Sequence, residues 1–241
     1  MMLLDVMLFS EGFVALVEAF DKECLLAVNG SDSLYLDRVV RSLTNALVWI
    51  PFYLSLFFLV LKNNATVRQV VYILIAIGLC VFVAGSLDDL IVKPLVARWR
   101  PTHDPEIGMM VDIVDGYRGG KYGFFSAHAA NTFSVAIFFC WLVRSRLLSI
   151  AIISWSLTNC WTRLYLGVHF PGDIIVGLTW ALIVSTIVYF IYWRLTRHIN
   201  HRSRHSSTKY TSTGYLIEGC NIPISVLVFT LAVILIKACI I

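Results

Sequence analysis

The sequence predicts an all-α membrane protein, a bundle of about six transmembrane helices preceded by an N-terminal helix on the membrane surface. Of the 241 residues, 59% are hydrophobic and 14% are charged, whereas a soluble domain carries about a quarter charged residues. The apolar residues are also concentrated in long uncharged runs, which is typical of membrane-spanning helices. The net charge of +4 therefore indicates loop charges that set orientation in a membrane, and not a surface for nucleic acid.

Six uncharged runs approach or reach the length of about 17–25 residues that crosses a bilayer. They are residues 44–61, 69–87, 129–143, 147–162, 174–193 and 222–240. The third and fourth are short, so flanking polar residues must complete them. No repeat or second domain is indicated. We therefore predict one integral-membrane domain over residues 1–241, with a core at about 30–195, a basic cytoplasmic linker at 196–221 and the last helix at 222–240.

Residues 12–28, before the first run, have the spacing of an amphipathic helix. One face carries Phe13, Val17, Phe20, Cys24 and Ala27, and the opposite face carries Glu11, Glu18 and Asp21. This pattern favours a helix lying on the membrane surface. A helix packed on the bundle is the alternative.

The cysteines and histidines indicate no metal or redox centre. None of the six cysteines forms a C-x-x-C pair, so neither zinc nor a disulfide framework is predicted. Three of the six histidines lie in a basic linker, residues 198–214, which favours a solvated connector touching anionic headgroups over a metal site. No cofactor is predicted. The opening MMLLDVMLFSE lacks a basic region, so we expect no cleavable signal peptide.

Positive charge is concentrated on one side of the predicted bundle. The 62–68 turn, the 144–146 turn and the 194–221 linker share a face with nine lysines and arginines and one acid, while the other fourteen acids fall on the opposite face. Lysine and arginine in short loops mark the cytoplasmic side. The face with the 88–128 and 163–173 loops is therefore predicted to point outward, into a periplasm or an equivalent lumen.

Three groups of polar residues fall on that outward face. In the first, Lys93 and Arg100 are seven residues apart and share a face if the segment is helical. Basic residues at the end of a span also commonly reach toward headgroups. Asp89 is in addition placed to pair with Lys93 four residues on.

The second group lies where a glycine-rich loop meets the third run. Ser126 is a good helix N-cap, followed by Ala127 and His128 in the first turn. The N-terminus of a helix offers free N–H groups and a positive dipole end, which favour an anion.

The third group is Arg163, His169 and Asp173, around a turn in which Pro171 suits the first position of a helix. Asp173 complements the helix dipole and can also hold one nitrogen of His169, which leaves the other nitrogen free. The three groups together place three cations and a helix N-terminus beside two histidines. This combination predicts a pocket for a multiply charged oxyanion, with a nucleophile and an acid at hand.

These residues resemble the signature of the type 2 phosphatidic acid phosphatase superfamily of membrane lipid phosphatases. A lysine, six residues and Arg-Pro match residues 93–101. Pro-Ser-Gly-His matches residues 125–128 in part. The third part of the signature is Ser-Arg, then a histidine after five residues, then an aspartate after three more, and it matches residues 162–173. The resemblance covers about residues 30–195. Three positions depart from the signature: Phe125 stands for proline, Ala127 for glycine and Thr162 for serine.

The resemblance implies a metal-independent phosphoric monoester hydrolase. In the family roles, His169 attacks phosphorus and forms a phosphohistidine, Asp173 orients His169, and His128 protonates the leaving oxygen and then activates water. The phosphate oxygens are held by a further set of residues. These are Lys93, Arg100, Ser126, the Ala127 amide and Arg163.

The resemblance also suggests a substrate. Residues 115–131 look like bacterial, Bacteroides-type members, which include lipid A phosphatases and undecaprenyl-diphosphate phosphatases. We favour lipid A, with the 4′-phosphate preferred over the 1-phosphate. Undecaprenyl diphosphate and phosphatidylglycerophosphate or phosphatidate are the alternatives. Arg118 and Lys121 are placed either to meet a second anionic group or to be solvated. A non-catalytic transporter is a distant alternative, because the centres of the runs lack ionisable residues. The bilayer and a lipid phosphate are thus the expected partners, in a bacterial inner membrane.

Overall fold

The computed structural model describes residues 2–197 and 208–240, and the regular elements in these ranges are helices, with two isolated β-bridges in the connections. The helices are α1 Met2–Leu26, α2 Leu34–Leu43, α3 Ile50–Asn63, α4 Val67–Val81, α5 Lys93–Val96, α6 Ala127–Val143, α7 Arg146–Tyr165, α8 Pro171–Thr196 and α9 Ile217–Ile240. The predicted all-α class is confirmed. The histidines of the basic linker, at 198, 201 and 205, lie outside the described residues.

Four helical stretches among the described residues are long and apolar enough to cross a membrane. They are Ala46–Asn63, Val67–Val96, Pro171–Thr196 and Ile217–Ile240. Helix α6 is apolar but, at 17 residues, is shorter than these four stretches, and α7 is not one of the four. The chain is therefore a multi-pass membrane protein, and the count of six spans stays a prediction.

The second span runs further than the predicted residues 69–87. After α4 the helix continues through π-helical turns at Phe82–Ser86 and Asp88–Val92 into α5. It ends at Ala97, whose left-handed backbone (φ 51°) stops the helix. Lys93 and Arg100 would share a face only if the whole segment were helical, and that condition is not met, because the helix ends at Ala97 and Arg100 has an extended backbone.

Helix α6 lies at the centre of the bundle and packs against α4, α7 and α8. The contact with α8 is close at the end that carries the polar residues. A Cβ added to Gly177 would lie 2.9 Å from the carbonyl oxygen of Ser126, and the Ser126 amide donates to the carbonyl oxygen of Asp173 at 3.1 Å. These backbone contacts join the start of α6 directly to the start of α8.

Helix α1 packs on the bundle through its carboxyl-terminal end. Leu25 is buried against Ile107 and Phe170. Asp21, which the helical pattern places on the polar face, is also buried (4% exposed), while Phe20 is 64% exposed. The polar side of this end thus contacts the protein. The side chains at positions 11 and 13 lie outside what the structure describes.

Candidate active site

The third predicted group forms at the turn between α7 and α8. Gly167 adopts a left-handed conformation (φ 62°), and a Cβ there would lie 2.4 Å from Val111, so a glycine is required. The Asp173 carboxylate sits in the first turn of α8, where its Oδ2 accepts a hydrogen bond from the Phe170 amide at 3.0 Å. This bond satisfies an amide that the helix leaves free. The local sequence therefore fixes Asp173 facing back over the turn.

His169 is buried between Asp173 and Arg100. Its Nδ1 lies 3.5 Å from Oδ2 of Asp173, which is too long for a full hydrogen bond. Its Nε2 lies 3.0 Å from Nη1 of Arg100. Because an arginine only donates, the network assigns the proton to Nδ1 and a lone pair to Nε2. The predicted pairing of His169 with Asp173 is present, and the other nitrogen is directed at a cation.

Burial and charge together keep the His169 imidazole neutral. Burial lowers the pKa of His169 to about 4, the Asp173 carboxylate opposes that shift, and Arg100 and Lys93 add to it. A neutral imidazole with an available lone pair is the form required of a nucleophile.

The first group contributes Arg100 and Lys93 from either side of the turn at Ala97. Arg100 donates through Nε to the carbonyl oxygen of Tyr122 at 3.1 Å and through Nη1 to that of Val168 at 3.1 Å. Lys93 is buried and paired with Asp88, at 3.1 Å, and with Asp89. The pairing of Lys93 with Asp89, offered as an alternative to a binding role, is therefore present.

The second group begins α6 as predicted. Ser126 is fully buried, and its Oγ accepts from the Ala129 amide at 3.4 Å as an N-cap. The preceding Phe125 amide donates to Oδ1 of Asp88 at 3.1 Å. Asp88 therefore joins the loop in front of α6 to Lys93, and the first turn of α6, with Ala127, is held near the cations.

Arg163 lies in the last turn of α7 and is 1% exposed. Its Nε donates weakly to Oγ1 of Thr162 at 3.4 Å, and its guanidinium lies 5.9 Å from the ring centroid of Tyr117. The Nη2 atom is buried and lacks a hydrogen-bond partner. A buried donor without an acceptor is costly, so this position is suited to an anion.

His128 faces a different environment from His169. It is exposed and lies on an apolar cleft of about 540 Å³ between α3, α4 and α6 that is lined by residues such as Tyr53, Ile77 and Phe139. The charges of Arg163, His169, Lys93 and Arg100 all act on its imidazole. The structure thus places one histidine inside the cationic group and the other between that group and an apolar surface.

No group of three or more His, Cys, Asp or Glu side chains that could hold a metal ion occurs within residues 2–197 and 208–240. The loop residues Arg118 and Lys121 are both exposed. Lys121 lies over the rings of Trp99, at 4.5 Å, and Tyr122, at 5.1 Å.

Two side chains in contact with the site were missed by sequence reasoning. Arg98 donates to Oδ1 of Asp173 at 2.6 Å and to Oδ2 of Asp21 at 2.7 Å. Arg98 lies inside the first motif, between Lys93 and Arg100, and that position was the available signal. Asp21 lies in α1, and no motif pointed to it.

Known proteins that are similar in sequence to this chain are phosphatases. The profile of the PAP2 superfamily matches residues 69–197. A lipid A 4′-phosphatase of Bacteroides thetaiotaomicron is 40% identical over 181 residues, which are 74% of this chain and 80% of that protein. A lipid A 4′-phosphatase of Porphyromonas gingivalis is 33% identical over 172 residues, 71% of this chain and 72% of that protein.

A more distant relative is similar over a shorter stretch. A decaprenylphosphoryl-5-phosphoribose phosphatase of Mycobacterium tuberculosis is 34% identical over 111 residues, 46% of this chain and 56% of that protein. No solved structure matches the chain. The profile match covers more than half of the chain and includes the motif residues from Lys93 to Asp173. The chain belongs to the PAP2 superfamily of phosphatases.

Proposed function

We propose that this membrane phosphatase removes the 4′-phosphate from lipid A through a phosphohistidine on His169. The observation that carries the proposal is the placement of His169, with Nδ1 toward Asp173 and Nε2 toward Arg100. A phosphoryl group bound by Arg100 would lie next to the atom that holds the lone pair. The 4′ position is favoured by two relatives named lipid A 4′-phosphatase, at 40% and 33% identity.

The cations and the helix N-terminus would hold the phosphate oxygens. Arg163 offers a buried Nη2 without a partner, Arg100 offers its guanidinium, and the Ala127 amide and Ser126 lie at the start of α6. Charge that builds on the oxygens in the transition state would be stabilised by these fixed donors. Lys93 would act from its pairs with Asp88 and Asp89. This electrostatic arrangement supports a mechanism without a metal ion.

The two histidines would divide the proton transfers. The neutral His169 imidazole attacks phosphorus as the nucleophile, and Asp173 stabilises the positive charge that the imidazole acquires on bonding to phosphorus. His128 donates a proton to the departing alcohol oxygen, which leaves the phosphohistidine. In the second half, His128 takes a proton from water as the water attacks phosphorus, and His169 is released.

The apolar cleft beside His128 supports a lipid as the substrate. The leaving group is the part of the substrate that His128 must reach, and the cleft that opens there is lined by side chains of α3, α4 and α6. A hydrocarbon chain would gain from burial in it, whereas a small soluble phosphate ester would not. The site, as well as the relatives, thus supports a lipid phosphatase.

The charge pattern supports an outward-facing site in the inner membrane of a bacterium. With six spans, the nine basic residues of the predicted cytoplasmic face would be on the opposite side of the membrane from the His169 turn. Six spans require α6 and α7 to cross, in addition to the four longer stretches. The exposed side chains of Leu16 (68%) and Phe20 (64%) on α1 suit contact with lipid at the membrane surface.

Mass spectrometry of lipid A tests the proposal most directly. Cells that express the wild-type chain should contain lipid A about 80 Da lighter than cells that express His169→Ala, the mass of one HPO₃ group, and fragmentation should place the loss at the 4′ position. Membrane levels of both proteins are compared by immunoblotting. Unchanged lipid A together with loss of phosphate from a polyprenyl diphosphate would favour the undecaprenyl alternative. Equal loss of phosphate with both proteins would contradict the assignment of the nucleophile.

A further inference from the structure

We infer that Arg98 and Asp21 are positioning residues for Asp173, so that the N-terminal helix α1 completes the active site. This inference rests on the proposed function, in which Asp173 orients the His169 nucleophile. It concerns one residue at a position that the first motif leaves unspecified, Arg98, and one far from the motifs in sequence, Asp21.

The two oxygens of Asp173 are held from different sides. Oδ2 accepts from the Phe170 amide at 3.0 Å and faces His169. Oδ1 accepts from Nη1 of Arg98 at 2.6 Å. Asp173 is fully buried, so Oδ1 is out of contact with bulk solvent. Arg98 therefore determines which carboxylate oxygen is presented to His169 and holds it there.

Arg98 is itself held by α1. Its Nη2 donates to Oδ2 of Asp21 at 2.7 Å, and its guanidinium lies 4.5 Å from the ring centroid of Phe170. Asp21 uses its other oxygen to accept from the Gly172 amide at 2.8 Å. The Arg98 guanidinium thus bridges the buried carboxylates of Asp21 and Asp173 through charge-assisted hydrogen bonds, and the Gly172 amide holds the second oxygen of Asp21.

Asp21 fits against the start of α8 only because residue 172 is a glycine. A Cβ built on Gly172 would lie 2.6 Å from Oδ2 of Asp21, so any larger residue would push the carboxylate of α1 away. This close approach is a second observation, independent of the ion pairs, that α1 is fitted to the start of α8.

Arg98 acts from outside the phosphate pocket. It lines a separate cleft between α1 and the start of α8, with residues such as Val17 and Trp99, and it bonds the oxygen of Asp173 that does not face His169. Its replacement should therefore lower kcat and leave KM within about twofold. The expected fall in kcat is about 10–100-fold, by analogy with residues that orient the ligands of a metal ion.

The first experiment measures turnover of bis-phosphorylated lipid A in mixed micelles by the full-length protein. Arg98→Ala and Asp21→Ala should each lose kcat, and the double variant should lose little more than Arg98→Ala, because both act through one network. Arg98→Lys should recover part of the loss, since a lysine keeps the charge but reaches only one carboxylate. Lys22→Ala is the matched control. It removes another ion pair of α1, at 2.6 Å to Glu106, and should leave kcat unchanged.

The second experiment is independent of activity. The pKa of His169 is measured by NMR titration of protein with labelled histidine in lipid nanodiscs, with assignment by loss of the signal in His169→Ala. The charged groups acting on this ring are Asp173, Arg100 and Lys93, with Arg98 behind Asp173. Loss of Arg98 removes a cation and leaves the Asp173 charge less neutralised, so the pKa of His169 should rise by about 1. Lys22→Ala should not change it.

The inference would be overturned if the His169 pKa were unchanged in Arg98→Ala, or if Arg98→Ala and Lys22→Ala had the same kcat. If the wild-type protein does not act on lipid A, the proposed function fails, while the titration still decides whether Arg98 and Asp21 control the His169–Asp173 pair.

Discussion

Arg100 donates to Nε2 of His169 across 3.0 Å, so the atom proposed as the nucleophile is engaged by a cation. An incoming phosphate oxygen would take over the Arg100 donor and leave the lone pair of Nε2 facing phosphorus. The same arginine would thus hold His169 in its orientation before the substrate binds and hold the substrate afterwards. This exchange requires a neutral imidazole.

The pH dependence of kcat/KM should show this neutrality. Burial lowers the pKa of His169 to about 4, so the nucleophile is active above that pH and is lost as the pH falls through about 4, well below the value of about 6.5 for a free histidine. The same shift makes the folded protein less stable as the pH falls from about 6.5 toward 4, because only the unfolded chain takes up the proton there.

Initial rates between pH 3.5 and 8 test this prediction. Titration of the lipid phosphate by ³¹P NMR in the same micelles separates ionisation of the substrate from that of the enzyme. An acid limb near 6.5 that does not follow the substrate would show that His169 titrates as a solvated imidazole.

Replacement of Arg163 should mainly reduce turnover. Its buried Nη2 lacks a hydrogen-bond partner, and we expect it to bind a phosphate oxygen as charge develops. Arg163→Ala should lower kcat by about 10²–10³-fold, the effect of removing one preorganised donor. Arg163→Lys should recover only part, because an ammonium lacks the planar fork of arginine. Arg146→Ala, an exposed arginine at the other end of α7, is the control, and an equal effect there would contradict a specific role.

Gly177→Ala should destabilise the junction of α6 and α8. The added Cβ would lie 2.9 Å from the Ser126 carbonyl oxygen, a backbone atom that cannot move alone, and overpacking of this kind costs about 1–3 kcal/mol. Gly78→Ala is a matched control in α4, where a Cβ meets nothing within 4 Å. Thermal unfolding in detergent should give a lower Tm for Gly177→Ala alone, with reduced activity. Equal Tm values for the two variants would show that the contact between α6 and α8 accommodates the added methyl group without loss of stability.

Metal chelation should leave activity intact, because Lys93, Arg100 and Arg163 would supply the positive charge that a metal ion provides elsewhere. Phosphate release measured with EDTA present should match that in its absence, whereas orthovanadate should inhibit as a phosphate mimic. Inhibition by EDTA that magnesium reverses, or resistance to millimolar vanadate, would count against the cationic pocket.

The parts of the site that the sequence predicts are those in which local spacing decides the geometry. Asp173 follows His169 by four residues at the start of a helix, and Ser126 is an N-cap whose role needs only the next three residues. The roles of Arg98 and Asp21 depend on tertiary structure. The left-handed turn at Ala97 redirects the chain before Arg98, and Asp21 meets Gly172 across 151 positions of sequence. No periodic pattern encodes such a contact.

The backbone bond from Ser126 to Asp173 has a consequence for how relatives of this protein can diverge. The segment proposed to bind the phosphate and the segment that carries the proposed nucleophile are joined through main-chain atoms, which substitutions leave in place. Substitutions of the exposed loop side chains Arg118 and Lys121 would leave this junction in place, and we expect preference among lipid headgroups to vary there while the reaction stays the same.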